Sequence, residues 1–185
     1  DDLYGNTNSV RITGSLGQGL LINGAVDDFI SEEDEDDETK DTIDDFDDNR
    51  STGRIYSYGS APALDIQADA GENLVFSGVV ETVRDTTDDD DDEDVDEVLA
   101  TFSYDHGLIN RGTIYASGLN IGFDATALSI AGSNDGTGTV TIDGGILNSG
   151  SIQATAYEAS SVAVLLGDGT AIGTFENSGT IGSTT

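Results

Sequence analysis

The stretch GTIYASGLNIGFDATALSIAG, Gly112 to Gly132, has a near-copy earlier in the chain, GRIYSYGSAPALDIQAD, Gly53 to Asp69. Both open on Gly-x-Ile-Tyr and run into a small-x-small-apolar-x-apolar segment, so a unit of sequence is being repeated and not merely a composition. Aligning the chain against itself extends the pattern. One signature, Asn-x-Gly-(Thr/Ser)-Ile, reads NRGTI at Asn110–Ile114, NSGSI at Asn148–Ile152 and NSGTI at Asn177–Ile181, with a degraded form, TGRIY, from Thr52. The second reads APALDI (Ala61–Ile66), ATALSI (Ala125–Ile130), SVAVLL (Ser161–Leu166) and, with glycines in the small positions, GQGLLI (Gly17–Ile22). The two signatures alternate along the chain, the order that stacked turns of a solenoid require.

Each signature has the chemistry of a strand. In TVTIDGGIL the residues Val140 and Ile142 fall on one face and Thr139 and Thr141 on the other. Ile, Val, Leu, Thr and Tyr suit a pleated surface, and the breaks are Gly, Asn, Asp and Ser. No window carries a sustained helical apolar stripe, so helix is expected to be nearly absent. A sandwich would also be made of short strands, but its strands differ because each occupies a distinct place. Solenoid rungs stack like on like at roughly 4.8 Å and select the same residue at the same position. The fold expected is therefore all-β: a parallel β-helix, or β-solenoid, with irregular rungs and two acidic loop insertions. In this reading Ile114, Ile152 and Ile181 form an internal column. The recurring Asn takes a turn position where its amide bonds the backbone or its own copy in the next rung, and the following Gly takes a left-handed corner.

The spacing is uneven, with 43 residues from Ile12 to Ile55, 59 from Ile55 to Ile114, 38 from Ile114 to Ile152 and 29 from Ile152 to Ile181. Much of the excess sits in two insertions, 27–48 and 84–97, and an extra strand is expected at NLVFSGVVETV, Asn73–Val83. The first insertion holds 14 acidic residues and the second 10, so 24 of the chain's 37 carboxylates lie in two blocks. Both are expected to interrupt the repeat at the same phase and to emerge from one side of the solenoid in neighbouring rungs. Arg11 and Arg54 are expected at equivalent repeat positions.

A formal net charge of −31 excludes a nucleic-acid binder, because a phosphate backbone would be repelled, and directs attention to cations. The absence of cysteine removes disulfides and thiolate metal sites from consideration. No run of about 18 apolar residues is present to span a membrane. Met is absent, including at position 1, and the 185 residues read as a single solenoid segment of a longer protein.

Oxygen ligands in excess suit Ca²⁺, which takes 6–8 oxygens from flexible donors, better than Zn²⁺. The candidate ligands are Asp34, Asp36, Asp37, Asp44, Asp45 and Asp47 in the first block and Asp88, Asp89, Asp90, Asp91, Asp92 and Asp94 in the second. The signal is compositional: DEDDETKDTIDD, from Asp34, has Thr39 where an EF-hand needs its glycine. Disordered, solvating loops are the plainer alternative. An enzyme is the rival class, since many β-helices cleave polysaccharides with paired carboxylates or with calcium and a base. The basic residues are Arg11, Lys40, Arg50, Arg54, Arg84 and Arg111, and the single imidazole, His106, reads as a solvent-exposed turn residue. They assemble no catalytic constellation, and the chain is expected not to be an enzyme.

The recurrent NSGTI and NSGSI, the AxALxI strands and the Gly/Ser/Thr/Ala-rich drift resemble the passenger regions of bacterial autotransporters and related surface adhesins, over Ser9–Val26, Ser51–Val83 and Leu99–Thr185. The resemblance implies a right-handed β-helix on the bacterial cell surface, displayed as a stalk, adhesin or filament. Its expected partners are further rungs or other copies end to end, divalent cations, and a glycan or protein receptor. A phage-tail-type fibre is the alternative structural reading. The acidic insertions depart from the family's common pattern.

Overall fold

In the computed structural model the described residues are 3–5, 10–13, 19–23, 53–84 and 98–185, and among them every regular element is a β-strand. The strands recur along the chain in successive sets, or circuits. The first contributes β1 (Leu3–Gly5), β2 (Val10–Ile12) and β3 (Leu20–Ile22). The second contributes β4 (Arg54–Tyr58), β5 (Leu64–Gln67) and β6 (Asn73–Phe76), then a hairpin of β7 (Val79–Arg84) and β8 (Val98–Tyr104), then β9 (Leu108–Asn110). The third is β10 (Thr113–Ile121), β11 (Ala125–Ala131), β12 (Thr139–Ile142) and β13 (Ile146–Asn148). The fourth is β14 (Ser151–Tyr157), β15 (Ser161–Leu166), β16 (Thr170–Ile172) and β17 (Phe175–Asn177), and β18 (Thr180–Thr184) begins again.

Equivalent strands of successive circuits pair with one another. Sheet I has the order β1-β4-β10-β14-β18, sheet II β15-β11-β5-β2, sheet III β16-β12-β6 and sheet IV β17-β13-β9-β3. Every pairing in these four sheets is parallel, while the separate pair β7-β8 is antiparallel.

The register puts like residues side by side. Leu3, Ile55, Ile114, Ile152 and Ile181 share one position of sheet I. In sheet II, Leu64, Leu128 and Val164 share a position, as do Ile66, Ile130 and Leu166. Apolar residues alternate into a single core that joins all four sheets, with Ile114, Ile130, Ile146 and Ile152 fully buried and Phe76 the largest side chain sealed inside. Burying each such aliphatic side chain stabilises the fold by about 1.5–3 kcal/mol. Ile181 is in register with the column but stays 39 % exposed, because β18 is the edge strand of its sheet.

Several expectations are corrected here. GQGLLI is not a copy of APALDI: Leu20–Ile22 pairs with Leu108–Asn110 in sheet IV, and the sheet II partner of Leu64–Ile66 is Val10–Ile12. Glycine in place of Ala blurred a pattern that two different strands can satisfy. Arg11 accordingly neighbours Asp65, whereas Arg54 neighbours Thr113, so the two arginines form no common row. The acidic insertions do not share a phase. Residues 27–48 lie between β3 and β4, on the passage from sheet IV to sheet I, while 85–97 lie between the two strands of the hairpin that follows sheet III. NLVFSGVVETV supplies two elements rather than one extra strand, β6 in sheet III and most of β7.

The glycine of Asn-x-Gly-(Thr/Ser)-Ile also has a different reason from the one expected. Gly112, Gly150 and Gly179 are not among the residues with positive φ. A Cβ at Gly112 would collide with the carbonyl oxygen of Gly53, one at Gly150 with that of Gly112, and one at Gly179 with that of Gly150. The same carbonyls accept from the next residue along, Thr113 N at 2.7 Å, Ser151 N at 2.8 Å and Thr180 N at 2.8 Å. Close backbone approach between circuits fixes this residue, not turn conformation.

Candidate functional site

Two polar constructions stand out among the described residues. The first is a row of amides in sheet IV, where Ile22, Asn110, Asn148 and Asn177 share a register position. Asn110 Nδ2 donates to Asn148 Oδ1 and Asn148 Nδ2 to Asn177 Oδ1, both at 2.6 Å. The main chain braces the row, since Ser149 N and Gly150 N both donate to Asn110 O and Ser178 N and Gly179 N both donate to Asn148 O. Asn110 and Asn148 are fully buried. A buried amide is tolerable only when its donors and acceptors are met, and stacking identical residues meets them with one repeated geometry. The row has a direction: donors point toward later circuits. At its start Asn110 Oδ1 has no partner among the described residues, its register neighbour being the aliphatic Ile22.

The second construction holds the hairpin. Glu81 of β7 is 8 % exposed. Arg111 Nη1 donates to Glu81 Oε2 at 2.9 Å, Tyr104 Oη donates to the same oxygen at 3.4 Å, and Asn23 Nδ2 donates to Glu81 Oε1 at 3.2 Å. The Arg111 guanidinium also lies 4.9 Å from the centroid of the Tyr104 ring, a cation–π contact. Burial opposes the charge on Arg111, yet the hydrogen bond and charge of Glu81, with Tyr104, outweigh it and hold the pKa above its ordinary value. Asn23 follows β3, just before the first acidic insertion, and Glu81 belongs to the hairpin that bears the second. One cluster thus joins the roots of both insertions although their phases differ.

The sequence pointed to the amide row and missed the Glu81 cluster. Its signal was available: Arg111 occupies the position where the other two copies of the signature have Ser149 and Ser178. His106 is not a solvent-exposed turn residue but partly buried, with Nε2 3.6 Å from a Glu176 carboxylate oxygen. Arg11 donates to Gln67 Oε1 at 2.6 Å and faces Asp65 at 3.9 Å, at the edge of a shallow cleft that Asn134 and Asp135 also line. Asp135 accepts from the Ser133 and Thr137 hydroxyls and from Thr137 N, which holds its carboxyl below the usual range. Tyr56 and Tyr115 meet edge to face at 5.8 Å on sheet I.

The twelve aspartates named as calcium ligands, Lys40 and Arg50 lie outside the described residues. Among the described residues no group of three or more His, Cys, Asp or Glu is placed to hold a metal ion, and no helix is long and apolar enough to cross a membrane. No family model, curated protein or solved structure matches the chain.

Proposed function

We propose that the chain is a section of parallel β-helix that serves as a non-catalytic structural element, a stalk or filament section on the exterior of a bacterial cell. The observation that carries this reading is the like-on-like register of four parallel sheets, in which one Ile column, one amide row and one glycine column each run through successive circuits. An enzyme needs one unrepeated constellation of groups; a load-bearing rod needs the same contacts renewed at each step. The acidic insertions take up Ca²⁺, and the shared Glu81 cluster supports that reading by rooting the hairpin of the second insertion beside the residue that leads into the first.

Calorimetry with and without chelator tests the calcium part. At calcium a hundredfold above a site's dissociation constant, each site adds about 2.7 kcal/mol and the melting temperature rises, with Mg²⁺ less effective because it keeps its waters. Equal melting temperatures would remove calcium from the account. Antibody labelling with negative-stain microscopy of native cells tests the structural part: label along thin surface projections is expected, and label confined to the cell interior would refute it.

A further inference from the structure

The turn that joins sheet I to sheet II in the third circuit is built unlike its neighbours. Between the register-matched residues Ser117 and Leu128 the third circuit has 10 residues, against 5 between Tyr58 and Leu64 and 8 between Thr155 and Val164. Among its glycines and Asn120 the longer turn carries three large apolar residues, Leu119, Ile121 and Phe123, which are 54 %, 69 % and 48 % exposed. Ile121 is the most exposed large apolar side chain among the described residues.

The turn is held in place. Leu119 N donates to Ser117 Oγ and Phe123 N to Asn120 O, both at 3.3 Å. Gly122 N donates to Tyr157 O of the fourth circuit at 2.9 Å, and Gly59 N of the second circuit donates to Ser117 O at 2.8 Å. A Cβ on Gly118 would collide with Phe123 O, so the two arms of the turn lie against each other. Described residues flank it on both sides, and its exposure does not depend on where the chain starts or stops. Leu119 has φ +44°, in the left-handed region that Gly or Asn enters at least cost, yet Gly118 and Asn120 stand beside that position and not in it. Backbone strain that holds a leucine out in water, next to two further exposed apolar residues, marks a contact surface.

The charge around the turn selects what it contacts. Asp124 follows Phe123, and Glu158 follows Tyr157, the register partner of Ile121; both carboxylates are exposed. From Gly112 onward the chain holds six carboxylates and neither Lys nor Arg. A second copy would bring the same carboxylates and its own formal charge of −31 to the contact, so the surface fits itself poorly. We infer that the Leu119–Phe123 turn is a docking surface for a cationic amphipathic segment of another protein. The apolar face of that segment covers Leu119, Ile121 and Phe123, and its Lys or Arg side chains meet Asp124 and Glu158. This adds a partner to the load-bearing role and does not depend on it.

The test titrates the full chain into fluorescent peptides made of leucine and lysine alone, one patterned as an amphipathic helix and one of the same composition scrambled, followed by anisotropy. Both carry the same charge toward the acidic chain, so the difference between them reads the apolar contact. The ordered peptide should bind about tenfold tighter or more. Leu119→Asn with Ile121→Ser and Phe123→Ser should erase that difference with unchanged circular dichroism, since Asn suits the left-handed position. Ile121→Ser alone, at a 69 % exposed site, should weaken binding of the ordered peptide by about threefold or more and serves if the triple variant misfolds. A leucine and glutamate peptide of the same pattern should not bind. Equal binding of the ordered and scrambled peptides, equal affinity of wild type and variants, or binding of the glutamate peptide overturns the inference. So does a concentration-dependent dimer in sedimentation that Ile121→Ser abolishes, which would make a second copy the occupant. Sedimentation with phosphatidylcholine vesicles that Ile121→Ser abolishes also overturns it, because the occupant would then be a lipid surface.

Discussion

Arg111→Ser restores at one position the residue that the other copies of the signature carry, and it should release the hairpin without unfolding the rest. The Glu81 side chain is 8 % and that of Arg111 13 % exposed, so the pair is screened little by water. Removing one partner of a buried pair leaves the other as an uncompensated charge, at a cost of about 3–5 kcal/mol. The cation–π contact to Tyr104 contributes about 0.5–2 kcal/mol of its own. After the substitution Glu81 still has partners, among them Asn23 at 3.2 Å and Tyr104 at 3.4 Å, so the lower end of the range applies. A loss of about 3 kcal/mol corresponds to roughly a hundredfold rise in local opening. Hydrogen exchange on the amides of Val79–Arg84 and Val98–Tyr104 reads it directly, with Ile114 and Ile152 as internal references that should change little. Glu81→Gln together with Arg111→Ser should cost less than the sum of the two single changes, because the two charges interact directly. Unchanged exchange in the hairpin of Arg111→Ser, or equal loss of protection at Ile152, would refute the role assigned to this pair.

Asn148→Ala should destabilise the chain by about 2 kcal/mol or more in thermal or denaturant unfolding, since it leaves a buried donor on Asn110 without its acceptor. Gly150→Ala should be at least as damaging, because its Cβ meets main-chain atoms that cannot turn aside; a melting temperature like that of wild type would show that the circuits approach less closely than described. Asp135 contributes in the sense of a depressed carboxylate: its hydrogen bonds are fully held above the ordinary value of 3.8 and are lost as pH falls through the lowered folded value. The Thr137 amide shift should therefore titrate at a pH below 3.8, and a midpoint above it would contradict the turn geometry.

What was legible in the sequence and what was not divide along physical lines. The Ile and Asn of Asn-x-Gly-(Thr/Ser)-Ile were legible because stacking makes both residue types satisfy themselves, Ile by apolar contact and Asn by amide pairing, and such self-matching leaves identical residues at each copy. The alternation in TVTI was legible because period two follows from the pleat. Gly17–Ile22 satisfies the small-x-small pattern with glycine, which imposes no face of its own, so its strand was given the repeat position of Ala61–Ile66 and the phase of the first acidic insertion was misplaced with it. The recurrence of Gly112, Gly150 and Gly179 across the copies could not reveal its cause, since turn conformation and close approach both select glycine and only the backbone angles and distances of the fold separate them. The Glu81 cluster joins residues 58 and 30 positions apart through a hairpin that has no counterpart among the other described strands, so no repeat announced it.

The register between circuits can be measured in a chain that contains no cysteine of its own, which makes every engineered thiol unambiguous. Thr113 and Ser151 are direct partners of β10 and β14, both partly exposed. Parallel partners lie about 4.8 Å apart, inside the range of about 4.4–6.8 Å that a disulfide spans. With Thr113→Cys and Ser151→Cys, mild oxidation should give one intramolecular disulfide, seen as a shifted band under denaturing electrophoresis and assigned by peptide mass. With Thr113→Cys and Gln153→Cys, two residues out of register, it should form poorly. A disulfide that forms equally well in both pairs, or only between molecules, would contradict the stacking of like on like.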